Sequence, residues 1–203
     1  TLGTFFDMTL TASRTTLRKQ LRQARRALSP AQQRRAAIRL AANLAQDKRF
    51  LRARHIAFYL ANDGEIDPTP LMLLARRHRK HCYLPVLQRW PATAMAFQKL
   101  TRGQRWQRNR FGIREPLRSR KQQVKAWRLD LVLVPLVGFD PQGNRLGMGG
   151  GFYDRTFAYR GRRKHTSRPC LIGLAHECQR VEHLPCAGWD IPLDGVITDC
   201  RRY

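Results

Sequence analysis

Between Asp130 and Arg155 the chain reads DLVLVPLVGFDPQGNRLGMGGGFYDR, and Gly147, Gly149, Gly150 and Gly151 fall within five positions of that stretch. Backbone without side chains can take positive φ and approach a ligand closely, aiming successive N–H groups at anionic oxygens. A helix beginning near Phe152 adds its unpaired N–H groups and dipole to the same preference. Arg145 supplies a permanent cation ahead of the glycines, and Asp154 a carboxylate behind them, in the first helical turn. A carboxylate beside a bound phosphate is repelled unless a divalent cation lies between, so Asp154 points to Mg²⁺. The alternative for Asp154 is an acid favoured at a helix N-terminus by the dipole alone. Two common phosphate loops are excluded. No lysine follows the glycines, as G-x-x-x-x-G-K-[ST] requires, and Phe152 stands where G-x-G-x-x-G needs its third glycine. On its own the cluster is equally consistent with an ordinary tight turn.

The apolar run Leu131–Val137 ahead of this loop suits a central strand covered on both faces. Upstream, Leu17, Leu21, Ala24 and Leu28 recur at helical spacing from Thr16 to Leu28, with Arg18, Arg22, Arg25 and Arg26 on the neighbouring surface. Ser29, Pro30 and Gln32 form a capping box that starts a second helix. His55–Leu60 reads as a strand. Asp67 and Pro68 open a helix with Leu71, Leu74 and Ala75 inward, and Cys82–Leu87 and Ala94–Phe97 read as further strands. Thr101–Pro116 reads as a basic loop and Lys121–Arg128 as a short helix, and Leu171–Ala175 and Val196–Asp199 supply the last strands. This order predicts a single-domain α/β fold, a mostly parallel open sheet with helices on both faces. Residues 1–15 read as a poorly ordered arm and 16–203 as the domain. Ligands of open α/β sheets bind beyond the carboxyl ends of the strands, which gathers Glu65, the Phe111 loop and Arg145–Asp154 at one edge.

A chain of 203 residues, 42% hydrophobic, can bury one sizeable core. It contains no run long enough to span a membrane, and its first residues lack a signal-peptide pattern, so a cytoplasmic protein is expected. Five cysteines without a C-x-x-C pair argue for reduced thiols. His176, Cys178, His183 and Cys186 lie near one another but match no standard zinc spacing, and read as buried thiols and surface imidazoles. The 39 Lys and Arg against 14 Asp and Glu give +25. Such a field draws polyanions and sets up an RNA-binding or ribosome-associated protein as the alternative to an enzyme. The basic residues are spread along the chain and accompany no RNA-recognition signature, so nucleic-acid contact is expected to be non-specific only, and the protein a monomer.

The block RLGMGGGFYD, with WDIPLDGVIT near the C-terminus and LRKQLRQARRALSP near the N-terminus, resembles the 5-formyltetrahydrofolate cyclo-ligase (5,10-methenyltetrahydrofolate synthetase) family, in the right order from about Thr16 to the end. The resemblance implies Mg²⁺- and ATP-dependent closure of 5-formyltetrahydrofolate to 5,10-methenyltetrahydrofolate, with release of ADP and phosphate. The γ-phosphoryl group passes to the formyl oxygen, and N10 attacks the resulting iminium phosphate. Positioning and charge neutralisation carry such chemistry, so no protein nucleophile is expected. By the same resemblance Arg18, Arg22, Arg145, Leu146, Gly147, Met148, Gly149, Gly150, Gly151, Phe152 and Tyr153 bind ATP. Leu60 and Glu65 contact the folate, as do Met148 through Phe152. Asp154 and Asp190 hold the metal, and Arg145, Tyr153 and Asp154 form the catalytic group. Without the family, Asp190 reads as a surface turn residue and Glu65 as a loop acid. A carboxylate at Glu65 suits the paired N–H donors of a pterin edge. Arg18 and Arg22, four apart, are placed to grip phosphate together, and Phe111 and Tyr153 to sandwich ligand rings. Arg18 stands where the family often has lysine, and Met148 and Gly150 lie where some members carry a basic loop residue.

Overall fold

The computed structural model describes residues 13–88, 94–162 and 168–203. The expected N-terminal arm lies outside the described residues as far as residue 12. Ser13 already caps the first helix, α1 (Arg14–Arg26), its Oγ accepting from Thr16 N at 3.2 Å. The helix therefore opens two residues before the expected start. α2 (Pro30–Ala45) has the predicted capping box, with Gln32 N donating to Ser29 Oγ and Ser29 N to Gln32 Oε1. A short α3 (Lys48–Arg52), capped by Asp47, leads into β1 (His55–Ala57). Next come α4 (Thr69–Arg77), β2 (His81–Leu87) and β3 (Met95–Lys99). β4 (Trp106–Arg108) and β5 (Arg114–Pro116) form a separate hairpin, and β6 (Gln123–Val124) precedes β7 (Leu131–Pro135). A small ribbon, β8 (Gly138–Phe139) and β9 (Arg145–Leu146), stands before α5 (Phe152–Phe157) and α6 (Tyr159–Arg162). β10 (Cys170–Ala175) and β11 (Val196–Thr198) complete the chain.

The main sheet has the order β11-β10-β7-β1-β2-β3-β6. The first five strands run parallel, and β3 and β6 join antiparallel at one edge. The strand predicted as central, β7, lies between β10 and β1, and its residues alternate between two cores as period-2 geometry demands. Leu131 and Leu133 face α2 and α4, with Ile56, Leu84, Ile172 and Leu71. Val132 and Val134 face α5, with Tyr83, Phe97, Leu171 and Phe157. α1 lies apart from both, its Leu21 packing on Val137, Leu146 and Leu184. No described helix is long and apolar enough to cross a membrane.

Three local expectations are corrected. Thr101–Pro116 is not a plain loop but contains the β4–β5 hairpin, whose tip is closed by Asn109 Oδ1 accepting from Phe111 N at 2.9 Å and Ile113 N at 3.1 Å. Strands of three residues are too short for their alternation to register against a basic background. Lys121–Arg128 holds two 3-10 turns flanking β6 instead of a helix. The glycine loop follows the β8–β9 ribbon, not the central strand directly. Asp140 turns that ribbon, Oδ1 accepting from Gln142 N and Asn144 N.

Gly173 sits in the middle of β10, where a Cβ would lie 2.6 Å from Leu193 Cδ1 and 2.7 Å from Leu136 Cδ2. Gly173→Ala should therefore overpack the core and cost about 1–3 kcal/mol, seen as a lower midpoint in urea; an unchanged midpoint would show that the core yields there.

Candidate active site

A cavity of about 1290 Å³ opens at the carboxyl ends of the parallel strands. Its walls come from α1, the loop after β1, the β4–β5 tip, the end of β7, the glycine loop with α5, and the segment around Asp190. Arg18, Leu60, Glu65, Phe111, Arg145, Tyr153, Asp154, Asp190 and the run Gly147–Phe152 all line it. Two expected residues do not. Leu146 is buried in the packing against α1, and Arg22 turns its Nε to Asp63 Oδ2 at 2.8 Å. Arg18 and Arg22 are thus not paired over one phosphate. Arg18 instead donates from Nε to Gly147 O at 2.8 Å and so rests on the glycine loop.

That loop is shaped by backbone that L side chains rarely adopt, with φ of +97° at Gly149 and +61° at Gly151. α5 has only six residues. Its dipole is accordingly small, and arginines supply the positive field in its place. Arg155 donates to Gly150 O and clamps the loop. Arg145 is 8% exposed and donates from Nη2 to Asp154 Oδ1 at 2.5 Å, while its Nε is buried with no partner. Asp154 Oδ1 also accepts from Ile191 N at 3.1 Å, which brings it beside Asp190. Asp190 Oδ2 takes Arg14 Nη1 at 2.6 Å and Ala187 N at 2.9 Å. Burial works against the ionised Asp190, but those hydrogen bonds outweigh it and hold the carboxyl below the usual range. For Arg18, burial and the nearby Arg14 cation lower the pKa, and among the described residues no carboxylate pairs with it. It is a cation short of a counter-ion.

The opposite wall carries Glu65, whose Oε2 accepts from Asn62 N at 3.1 Å. Burial pushes its carboxyl up to about 7, against the opposing pull of Arg25. Phe111 lies edge-on to Phe152 at 5.8 Å, and Tyr153 stacks on Phe157 at 6.3 Å. Each expected sandwich ring therefore already has an aromatic partner within the protein. Burial raises the Tyr153 phenol well above its ordinary value and keeps it neutral. Met148, Phe111 and Trp189 remain 52%, 56% and 75% exposed at the cavity walls, leaving apolar surface for a ligand.

Sequence reasoning missed Arg14, Asp63, Arg155 and Trp189 as cavity residues. Arg14 was signalled by the four-residue repeat Arg14, Arg18, Arg22, and Trp189 by its place before Asp190. Asp63 had no local signal, because its partners come from a helix about forty positions away. Among the described residues no three His, Cys, Asp or Glu side chains converge as metal ligands, so the His176–Cys186 stretch forms no such group.

A parallel sheet with an arginine-lined glycine loop on one side of its cavity and a desolvated carboxylate on the other defines an α/β enzyme that handles phosphate. Residues 10–199 match the model of the 5-formyltetrahydrofolate cyclo-ligase family, and the chain belongs to that family. It is 40% identical to the 5-formyltetrahydrofolate cyclo-ligase of Escherichia coli (strain K12) over 183 residues, 90% of this chain and 98% of that protein. The Haemophilus influenzae cyclo-ligase is 36% identical over 190 residues, 92% of this chain and 98% of its own length. The structure of Aquifex aeolicus 5,10-methenyltetrahydrofolate synthetase matches with a TM-score of 0.78 at 29% identity, covering 93% of this chain and 91% of that one. Family membership decides between the two readings of the +25 charge in favour of the ligase.

The folded state binds the Glu65 proton more tightly than the unfolded chain does. Its contribution to stability is complete below about pH 4.5 and is lost as pH rises through about 7. Glu65→Gln should therefore gain on the order of 1–3 kcal/mol over the native protein between about pH 4.5 and pH 8. Denaturant titrations at the two pH values measure this, and a difference that does not change with pH would contradict the buried, proton-hungry carboxyl.

Proposed function

We infer that this chain catalyses the ATP-dependent conversion of 5-formyltetrahydrofolate to 5,10-methenyltetrahydrofolate, and that the cavity described above is where it does so. One observation carries the assignment to this cavity: a single space joins an anion-seeking wall, where among the described residues Arg18 has no ion-pair partner and Arg145 Nε no hydrogen-bond partner, to a wall carrying the desolvated Glu65. Its volume of about 1290 Å³ exceeds what one drug-sized ligand needs and suits two substrates side by side.

The nucleotide phosphates lie along Gly147–Gly151, with Arg18 and Arg145 neutralising their charge. The folate occupies the side of Leu60, Glu65 and Phe111, its pterin N–H groups donating to ionised Glu65. Asp154 and Asp190 are adjacent through the Asp154–Ile191 hydrogen bond, and two carboxylates with phosphate and water completing the shell are the donor set Mg²⁺ prefers. Those residues would hold it, and the ion would supply charge neutralisation for the phosphates there. Arg145 and Arg14, paired with Asp154 and Asp190, hold the two acids in place. Tyr153, neutral and partly buried against Phe157, walls the reacting groups on one side. The folate formyl oxygen takes the γ-phosphoryl group, N10 closes the ring, and phosphate leaves. No protein nucleophile takes part. The five free cysteines accord with work in a reducing cytoplasm.

Incubation of the purified protein with 5-formyltetrahydrofolate, ATP and Mg²⁺ should generate the conjugated methenyl chromophore with one ADP per turnover; absorbance growth independent of ATP would reject the assignment. Arg18→Met and Asp154→Asn should each lower kcat/KM by roughly a hundredfold. Glu65 must be ionised to accept the pterin donors, so kcat/KM for the folate should rise as pH passes through about 7.

A further inference from the structure

Asp63 belongs neither to the nucleotide loop nor to the folate contacts, yet it gathers more charge than any other acid in the described chain. Its Oδ2 accepts from Arg22 Nε at 2.8 Å and Arg25 Nη2 at 2.9 Å, its Oδ1 accepts from Arg26, and its backbone oxygen accepts from Arg25 Nε at 2.8 Å. The three arginines sit at i, i+3 and i+4 on α1, where like charges repel one another unless a common anion joins them. Asp63 is held in the left-handed region at φ 54°, and Gly64 follows at 75°. Left-handed φ is uncommon for a residue with a side chain and persists where surrounding contacts impose it. Immediately beyond this bend, Glu65 N donates to Asn62 O at 3.0 Å and Glu65 Oε2 accepts from Asn62 N. The bend therefore sets both the place and the direction of the Glu65 carboxylate.

The geometry points to Asp63 as a positioning residue for the proposed reaction: gripped by three arginines of α1, it fixes the bend that presents Glu65 to the folate. This rests on the reading of Glu65 as the carboxylate that meets the pterin. The same helix carries Arg18 on the glycine loop, so one rigid element sets the nucleotide loop and the folate carboxylate in a common frame. The charged and titratable groups facing Glu65 are Arg25 from α1, Asp63 from its own loop, Tyr59 from the end of β1 and Tyr153 from α5. Burial works against ionised Asp63, but its three arginines hold it down at about 2, so it stays charged wherever Glu65 titrates.

Steady-state kinetics of Asp63→Asn, Asp63→Glu and Glu65→Gln across roughly pH 5 to 9, with ADP release as the signal, test this. In Asp63→Asn the folate KM should rise roughly tenfold with the ATP KM within about twofold of native. Its acid limb of kcat/KM for folate should move below 7, because an opposing negative charge is lost and the loosened bend admits water. Asp63→Glu keeps the charge and displaces the bend, so the folate KM should rise while the acid limb stays. Glu65→Gln should abolish the limb; if the limb survives in that variant, the reading of Glu65 fails and this inference with it. If Glu65→Gln removes the limb while both Asp63 variants keep native folate KM and pH profile and differ only in melting temperature, the positioning role is overturned and the reading of Glu65 stands. Should Asp63→Asn not fold, Asp63→Glu decides alone: a raised folate KM supports the inference and a native one overturns it.

Discussion

A guanidinium with no exposure to water, that of Arg25, ties α1 to the carboxyl edge of the main sheet. Taking such a group out of water costs several kcal/mol unless each donor finds a partner. Arg25 donates to the backbone oxygen and carboxylate of Asp63 and to Leu136 O just past the end of β7. The first two contacts bind the loop after β1, and the third binds the edge of the central strand. α1 is thereby tied to the carboxyl edge of the sheet, although little apolar surface joins it there beyond Leu17 and Leu21 against Val137, Leu146 and Leu184. Everything α1 carries follows from that attachment. Arg18 reaches the glycine loop, and Arg14 reaches Asp190 from one turn earlier.

The same attachment divides the cavity electrostatically. At the glycine-loop side, cations outnumber the anions that could quench them: Arg14 and Arg145 are matched to Asp190 and Asp154, and among the described residues no carboxylate forms an ion pair with Arg18. At the Glu65 side the balance reverses, because Glu65 is desolvated and the cation nearest it among the described residues, Arg25, is already committed to Asp63. A phosphate-seeking wall thus faces a wall that seeks N–H donors.

Much of this was legible in the sequence where short-range physics decides the outcome. The capping box at Ser29 and Gln32 closes within one turn, and β7 is uniformly apolar because both its faces are covered. The glycine loop was legible because two of its positions, Gly149 and Gly151, take φ values that side chains rarely adopt. What escaped depends on distant partners. The β4–β5 and β8–β9 ribbons have two or three residues per strand, too few for periodicity, and are held by Asn109 and Asp140 side chains instead. Arg18 and Arg22 share a helical face, yet Asp63 draws Arg22 away from the phosphate side, and nothing near Arg22 in sequence announces an acid about forty positions on. The family resemblance supplied Asp190 and Glu65, whose own neighbours in sequence left each ambiguous.

The most direct test of the Arg25–Asp63 attachment is a double-mutant cycle in unfolding free energy with Arg25→Met and Asp63→Leu. If the pair pins α1 and the Glu65 loop to the sheet, Asp63→Leu leaves the buried Arg25 guanidinium without its carboxylate, and Arg25→Met leaves Asp63 only its more exposed partners Arg22 and Arg26. The coupling energy should then be on the order of 2–4 kcal/mol. Additive effects, with coupling below about 0.5 kcal/mol, would mean that the helix is held by other contacts and that the shared frame of the two substrate walls does not depend on this pair.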